Sequence, residues 1–377
     1  MRATRALVHL DRFKENIRAV AGRVGSRRIC VPLKAAAYGH GALPLARAAL
    51  EGGADFLAAA LVQEGEELRR GGIGAPILIL SPPMPEELPA LVRNDLCPLV
   101  SDGAAIDALG EAAGRGGGEL RVHLKVDTGM GRAGCRPEEA ASLAGRILSH
   151  KNLRLAGVAT HLAVSDSPDP GDAAYTRDQL RRFGEVLRAI RAGGIDPGIV
   201  HAANSGGVLY HPDSWFDMVR PGILLYGYGP RSSPVAVRPV MELWSRVAAV
   251  KLIRRGESVS YGRTWTAAED TLAALIPIGY ADGLRRALSG RWRVAIRGGI
   301  YPVVGRICMD QCMVSLGRAA EGTAVSTGDD VLVFGEDPAG PGDAAVMAEK
   351  LGTIPYEICC GLSSRVPRVY IGPLPRV

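Results

Sequence analysis

A lysine closes the apolar stretch of "RRICVPLKAAAYGHG", residues 27–41, and a tyrosine follows four positions later, just before Gly39-His40-Gly41. An amine withdrawn from water can lose its proton near neutral pH, and Lys34 would then form a Schiff base with a carbonyl, either of a substrate or of pyridoxal phosphate. A solvated lysine capping a strand accounts equally for the same residue. Tyr38 and the glycines offer a phenol and backbone N–H groups to a phosphate, or simply a tight turn. Two further segments, "HAANSGG" at 201–207 and "RPGI" at 220–223, provide amides and the Ser205 hydroxyl for the same purpose. Two such loops together with a lysine make pyridoxal phosphate the economical cofactor.

These residues need a frame that brings them together. Between residues 28 and 228 eight short apolar runs alternate with helical periodicity: "RICVPLK", "DFLAAAL", "PILILS", "LCPLVS", "LRVHLKVD", "LAGVATHL", "IVHAANS" and "MVRPGILLYG". Apolar residues recur every three or four positions over 41–52, 62–70, 85–93, 136–149 and 175–192. Near-continuous apolar strands with intervening helices predict a parallel sheet covered on its outer face, and eight of them close a (β/α)8 TIM barrel, with a doubly wound open sheet as the alternative. Active sites in barrels lie at the C-terminal strand ends, where this sequence has Lys34, Asp127, His161, Asn204 with Ser205, and Arg220 at the start of the last run.

Beyond about residue 235 the texture changes to short strand-like runs broken by Gly and Pro, with helical character only over 344–351. The reading is α/β: a barrel domain over 1–235, with residues 1–9 available to pair with the rest, and a mostly β C-terminal domain over 236–377. The glycine run at 114–118 reads as loop.

Composition narrows the function classes. Hydrophobic residues make up 47% and charged residues 22%, a globular balance. The net charge of +6 is scattered, 45 basic against 39 acidic residues, and aromatics are only 5%, which excludes a nucleic-acid surface and leaves room for a small anion. Seven cysteines without CxxC or histidine spacing point to neither disulfides nor a metal site. No segment has the length of an apolar membrane span or the pattern of a signal peptide, so a cytoplasmic protein without membrane contact is expected.

The stretches "KAAAYGHG", "KVDTGMGR" (125–132), "HAANS", "RPGILLYG" (220–227), "VSYG" (259–262), "GYADG" (279–283), "GRICMDQ" (305–311) and "GTIPYE" (352–357) together resemble alanine racemase. The resemblance implies a pyridoxal phosphate enzyme that interconverts L-alanine and D-alanine for cell-wall precursor supply. It also implies a homodimer whose two sites borrow residues across the interface. Lys34 resembles the lysine that carries the cofactor. Tyr38, Ser205, Gly222, Ile223 and Tyr356 are similar to phosphate-binding positions, and His161, Asn204 and Arg220 fall with the cofactor site.

Racemisation requires an acid and a base on opposite faces of the Cα–H bond, and the resemblance assigns Lys34 to one face and Tyr261 of the partner subunit to the other. A hydrogen-bond chain through His161 to Arg220 would support the phenolate of Tyr261. Arg220 facing the pyridine nitrogen would offer only donors and leave the ring a weak electron sink, which favours proton exchange over other pyridoxal chemistry. Arg132 and Met309 resemble substrate-carboxylate positions, Tyr280 and Asp310 resemble positions lining the passage into the site, and Lys125 resembles a position carbamylated in some members. Ala36 departs from the family, which has Asp or Asn there, and removes a hydrogen-bonding group beside Lys34. A racemase for serine or a broader set of amino acids, a barrel that carries the cofactor without turnover, and a cofactor-free Schiff-base aldolase are the other readings.

Overall fold

The computed structural model describes residues 2–230, 232–337 and 340–372. Eight parallel strands close a barrel in chain order. We label them β2 (Arg28–Pro32), β3 (Phe56–Ala59), β4 (Ile77–Ile79), β5 (Cys97–Val100), β6 (Leu120–Lys125), β7 (Leu153–Ala159), β8 (Ile199–His201) and β9 (Met218–Val219), after β1 (Arg5–His9), which lies outside the barrel. Seven of the barrel strands fall within the eight apolar runs, and β7 begins two residues before its run, at Leu153. Their residues are almost all buried, as expected where helices cover a parallel sheet whose inner face is also filled.

The helices present one apolar stripe each. Leu10–Val24 buries Leu10, Phe13, Ile17, Val20 and Val24, spaced by three or four residues. Its buried Asn16 donates to Leu225 O and Arg238 O and accepts from Arg238 N, all at 2.9 Å, tying the barrel to the chain that leaves it.

The second region is a nine-stranded sheet ordered Ala249–Ile253, Thr271–Ile276, Cys312–Arg318, Gly299–Val304, Arg293–Ile296, Asp330–Phe334, Met241–Arg246, β1 and Arg368–Ile371. β1 pairs antiparallel with Met241–Arg246 and parallel with Arg368–Ile371. No helix among the described residues is long and apolar enough to cross a membrane.

The sequence-based expectations need four adjustments. The run "MVRPGILLYG" is a strand only at Met218–Val219; Pro221 cannot donate to a ladder and residues 223–227 form turns, so Arg220 follows the last strand rather than starting it. A second helix, Pro355–Cys360, joins Ala344–Leu351 in the C-terminal region, started by Pro at its first turn. The helix Gly103–Gly116 runs into the glycine run, which becomes irregular only at Gly117. The helix expected over 175–192 begins earlier, at Pro170, where Asp169 caps the N–H groups of Gly171 and Asp172.

Candidate functional site

A cavity of about 700 Å3 opens at the C-terminal ends of the barrel strands, within the usual size range for small-molecule sites. Lys34, Tyr38, Lys125, Arg132, His161, Asn204, Ser205, Arg220, Gly222, Ile223 and Tyr356 all line it. Four of these are cationic side chains, against one lining carboxylate, Asp166. Asp127, expected to converge with them, instead turns away: its Oδ1 accepts from the N–H groups of Gly129, Met130 and Gly131 at 2.8–3.1 Å. It shapes the loop that carries Arg132.

Lys34 sits where β2 ends, and the four residues after it adopt left-handed backbone, with φ of 53°, 52°, 55° and 51° at Ala35, Ala36, Ala37 and Tyr38. For L-residues this costs roughly 1–2 kcal/mol each, and only glycine, asparagine and aspartate visit the region routinely. Nothing in "AAAY" announces such a turn, since alanine favours the right-handed helix. Its effect is to place Lys34 and Tyr38 on the same cavity. Gly39 then continues at φ 81°, and any Cβ there would lie 2.2 Å from Cys359 O, so the turn closes against the C-terminal region only with glycine. Ala36 is exposed and has no polar side-chain group to ease its left-handed backbone. Burial, then the Arg132 charge, lowers the pKa of the Lys34 amine.

At the opposite wall, Ser205 Oγ accepts from Gly222 N at 2.9 Å and Leu224 N at 3.3 Å, which leaves its own hydrogen free to donate. A Cβ at Gly222 would come within 2.9 Å of Tyr38 Oη, filling the space between the two phosphate-type loops. Burial pushes the Tyr38 phenol far up and that of Tyr356 up to about 12, so both keep their protons and act as donors to an anion. Asn204 Oδ1 accepts from Gly207 N at 3.0 Å and from Ser165 Oγ at 2.6 Å, fixing the turn into the short helix Ser205–Tyr210.

Arg220 is 7% exposed and held on every side. Its Nη2 donates to Thr160 O at 2.8 Å and Ala202 O at 3.2 Å and reaches His161 Nδ1 at 3.4 Å, while Nη1 donates to His201 Nδ1. A guanidinium has donors only, so His201 must accept at Nδ1 and carry its proton on Nε2, which donates to His123 Nδ1 at 2.7 Å. The direction of this string is therefore settled from its cationic end. Burial, then the Arg220 charge, drives His161 and His201 well below the ordinary histidine pKa and His123 down to about 3, so all three rings stay neutral. Arg220 itself drops only to about 10 and remains charged.

These neutral rings fix the sign of a pH effect. An imidazole whose pKa falls on folding takes up its proton mainly in the unfolded chain, so its contribution is complete above the unfolded value near 6.5 and is lost as pH falls toward the folded value. With His40 at about 4 and His123 at about 3, the sensitive window is pH 6.5 down to about 3. Each such ring is expected to remove about 1.4 kcal/mol per pH unit within its window. Thermal unfolding scans should show a melting temperature that falls steeply below pH 6; a profile that stays flat from pH 6.5 down to pH 5 would contradict the neutral, buried assignment.

Tyr261, Tyr280, Met309 and Asp310 do not line this cavity. They lie in the second region, and Tyr261, Met309 and Tyr280 are 73%, 52% and 41% exposed. Backbone contacts hold them on one surface: Tyr280 N donates to Cys308 O and Ala281 N to Met309 O, both at 3.0 Å, and Ser260 Oγ donates to Arg306 O. Asp310 Oδ1 accepts from Arg365 Nη2 at 2.7 Å. Within one chain, then, the expected residues form two sets.

Sequence reasoning had no place for His201, His123 and Glu64. His123 stands mid-strand and His201 at a strand end, both within apolar runs, and the signal available was a histidine set among buried apolar residues. Glu64 reads as one more charge on an amphipathic helix.

Two family models match the chain, the alanine racemase N-terminal domain over residues 8–230 and the alanine racemase C-terminal domain over 240–370. An alanine racemase of Treponema denticola is 47% identical across 98% of this chain and 99% of that protein. One from Symbiobacterium thermophilum is 44% identical across 99% and 98%. Among solved structures, the alanine racemase from D-cycloserine producing Streptomyces lavendulae superposes with a TM-score of 0.92 at 36% identity, covering 99% of this chain and 98% of that one. The structure of the Bacillus anthracis alanine racemase with bound L-Ala-P gives 0.90 at 34% identity, covering 99% and 96%.

Proposed function

The chain belongs to the alanine racemase family, and from that premise we propose that it interconverts L-alanine and D-alanine with pyridoxal phosphate held in the barrel cavity, as a homodimer in which each site is completed by Tyr261 of the partner subunit. The observation that carries the reading is the cavity's chemistry: two lysines made less basic by burial, the guanidinium groups of Arg132 and Arg220, and a set of protonated hydroxyls around a space of about 700 Å3. That donor set suits a cofactor phosphate and a substrate carboxylate together.

Tyr38, Ser205, Tyr356 and the N–H groups around Gly222 and Ile223 would hold the phosphate, and Lys34 would hold the aldehyde end. Bound there, pyridoxal phosphate supplies an electron-withdrawing system that acidifies the substrate Cα–H bond. Everything else falls to the chain. Arg220, locked by two carbonyls and His201, presents donors toward the ring and no proton acceptor, so it favours an unprotonated ring nitrogen and restrains delocalisation beyond Cα. Arg132 orients the substrate carboxylate with its planar fork, assisted by the Met309 main chain of the partner subunit. Lys34, its amine made less basic by burial, takes or returns the Cα proton on one face. Tyr261 serves the other face, and a phenol needs help to ionise near neutral pH, which the positive field reaching it through His161 from Arg220 would supply. Tyr280 and Asp310 would line the passage through which a small zwitterion enters. The exposure of Tyr261 and Met309 in the single chain supports the shared-site arrangement, because a phenol and a thioether of such exposure gain by burial against a second copy.

Incubation with L-alanine in deuterated water tests the reaction directly. Deuterium should enter Cα while D-alanine accumulates, and the purified protein should show visible cofactor absorbance. Inversion without solvent deuterium, or no inversion, would refute the proposal.

Lys125 adds a second expectation. Burial, then the Arg220 charge, brings its pKa down to about 7, so a large share of the amine is neutral at physiological pH. A neutral amine can attack the carbon of dissolved CO2, forming an N–C bond and releasing one proton to solvent, to give an anionic carbamate in the field of Arg132 and Arg220. We expect protein equilibrated with 13C-bicarbonate to show one carbamate carbon resonance that disappears in Lys125→Gln. Bicarbonate-depleted wild type should lose activity several-fold and regain it on readdition.

A further inference from the structure

The left-handed turn after Lys34 needs support from outside, because three alanines and a tyrosine do not hold such backbone by themselves. Two side chains grip it. Glu64, in the first turn of the helix Val62–Arg70, accepts Ala35 N–H on Oε1 at 2.6 Å, while Oε2 accepts Ala60 N–H at 2.8 Å and Leu61 N–H at 3.2 Å. One carboxylate thus fastens the beginning of the turn to the end of β3. At the other end, His40 is fully buried with Nδ1 at 3.0 Å from Ala37 O and 2.9 Å from Tyr38 O. Both neighbours are acceptors, so Nδ1 must carry the proton and donate to the last two carbonyls of the turn. The ring packs tilted against Tyr226, centroids 4.8 Å apart, and the Tyr226 hydroxyl donates to Pro32 O at 2.7 Å, so this end is fastened to β2.

We infer that Glu64 and His40 are positioning residues, which hold residues 35–38 in left-handed backbone and thereby aim Lys34 and Tyr38 into one cavity. Neither side chain lines that cavity, and the hydrogen bonds of both go to main-chain atoms. Ala36 makes the clamp more necessary here, since an exposed alanine lacks the tolerance of asparagine for this conformation. Glu64 also places a negative charge near Lys34 that raises the amine's pKa, against the lowering by burial and Arg132. The consequence for the cofactor rests on the function proposed above; the consequence for the turn does not.

The test uses the full chain with and without pyridoxal phosphate, in wild type, Glu64→Gln, and Glu64→Gln combined with Ala36→Gly. Glutamine keeps the shape but sets an NH2 group against some of the same N–H donors, so the apoprotein's dissociation constant for pyridoxal phosphate should rise about tenfold. Glycine adopts left-handed backbone without strain and should restore most of that loss. In the apoprotein, modification of Lys34 by an amine reagent, followed by peptide mass mapping, should shift its pH profile downward in Glu64→Gln, a change that a purely structural role does not produce. His40→Asn, if it folds, should also weaken cofactor binding. Unchanged cofactor affinity and an unchanged Lys34 profile in Glu64→Gln would overturn the inference. If wild type itself took up no cofactor, the proposed function would fall, and the labelling profile alone would decide between the clamp and a passive cap.

Discussion

Lys34→Ala is expected to abolish the visible cofactor absorbance and to lower racemisation by about 10^4-fold or more, since one side chain supplies both the covalent anchor and a proton-transfer group, each a large effect singly. The phosphate wall is built from other residues, so pyridoxal phosphate should still bind, more weakly and without the shifted spectrum. A small exogenous amine should recover part of the proton transfer, because the cavity of about 700 Å3 leaves room for it once the side chain is gone. A retained, wild-type-like spectrum in Lys34→Ala would place the anchor on another lysine, with Lys125 the first to examine since it lines the same cavity.

Tyr261→Phe is the second large expectation, a fall of about 10^2–10^4-fold in turnover with cofactor absorbance intact. Racemisation has an equilibrium constant of one, so kcat/KM must fall equally in both directions. The asymmetry therefore appears elsewhere: one enantiomer should still exchange its Cα hydrogen with solvent through Lys34 without inverting, while the other should lose exchange. Because Tyr261 is 73% exposed and outside the cavity of its own chain, a mixing experiment follows. Dimers formed from Lys34→Ala and Tyr261→Ala chains would contain one site with both residues intact, and random reassortment should restore about a quarter of the sites. No recovery on mixing would mean that each site is completed within its own chain.

The barrel was legible because parallel strands buried on both faces read as unbroken apolar runs, and the polar residues that end them mark the mouth. The final run was overread: apolar side chains at 222–227 fill turns as well as strands, and the Pro221 signal was the one that counted. Asp127 was misplaced because a carboxylate after a strand serves a loop's N–H groups as readily as a site. The left-handed turn was invisible, since its support comes from Glu64 on another helix and from His40 just past the turn, and not from the residues that adopt it. Tyr261 illustrates a further limit: periodicity places a residue within its own fold and says nothing about which copy it serves.

The position of β1 has a consequence for how the chain is made. Its two neighbours, Met241–Arg246 and Arg368–Ile371, emerge more than two hundred and more than three hundred residues after it. During synthesis the barrel can close around its own sequence-local strands, while β1 waits for Met241–Arg246 on one side and keeps its other edge open until Arg368–Ile371 follows. The nine-stranded sheet therefore cannot be complete before residue 371 has been made, so the barrel, with Lys34 at its mouth, can form ahead of the sheet that packs beside it.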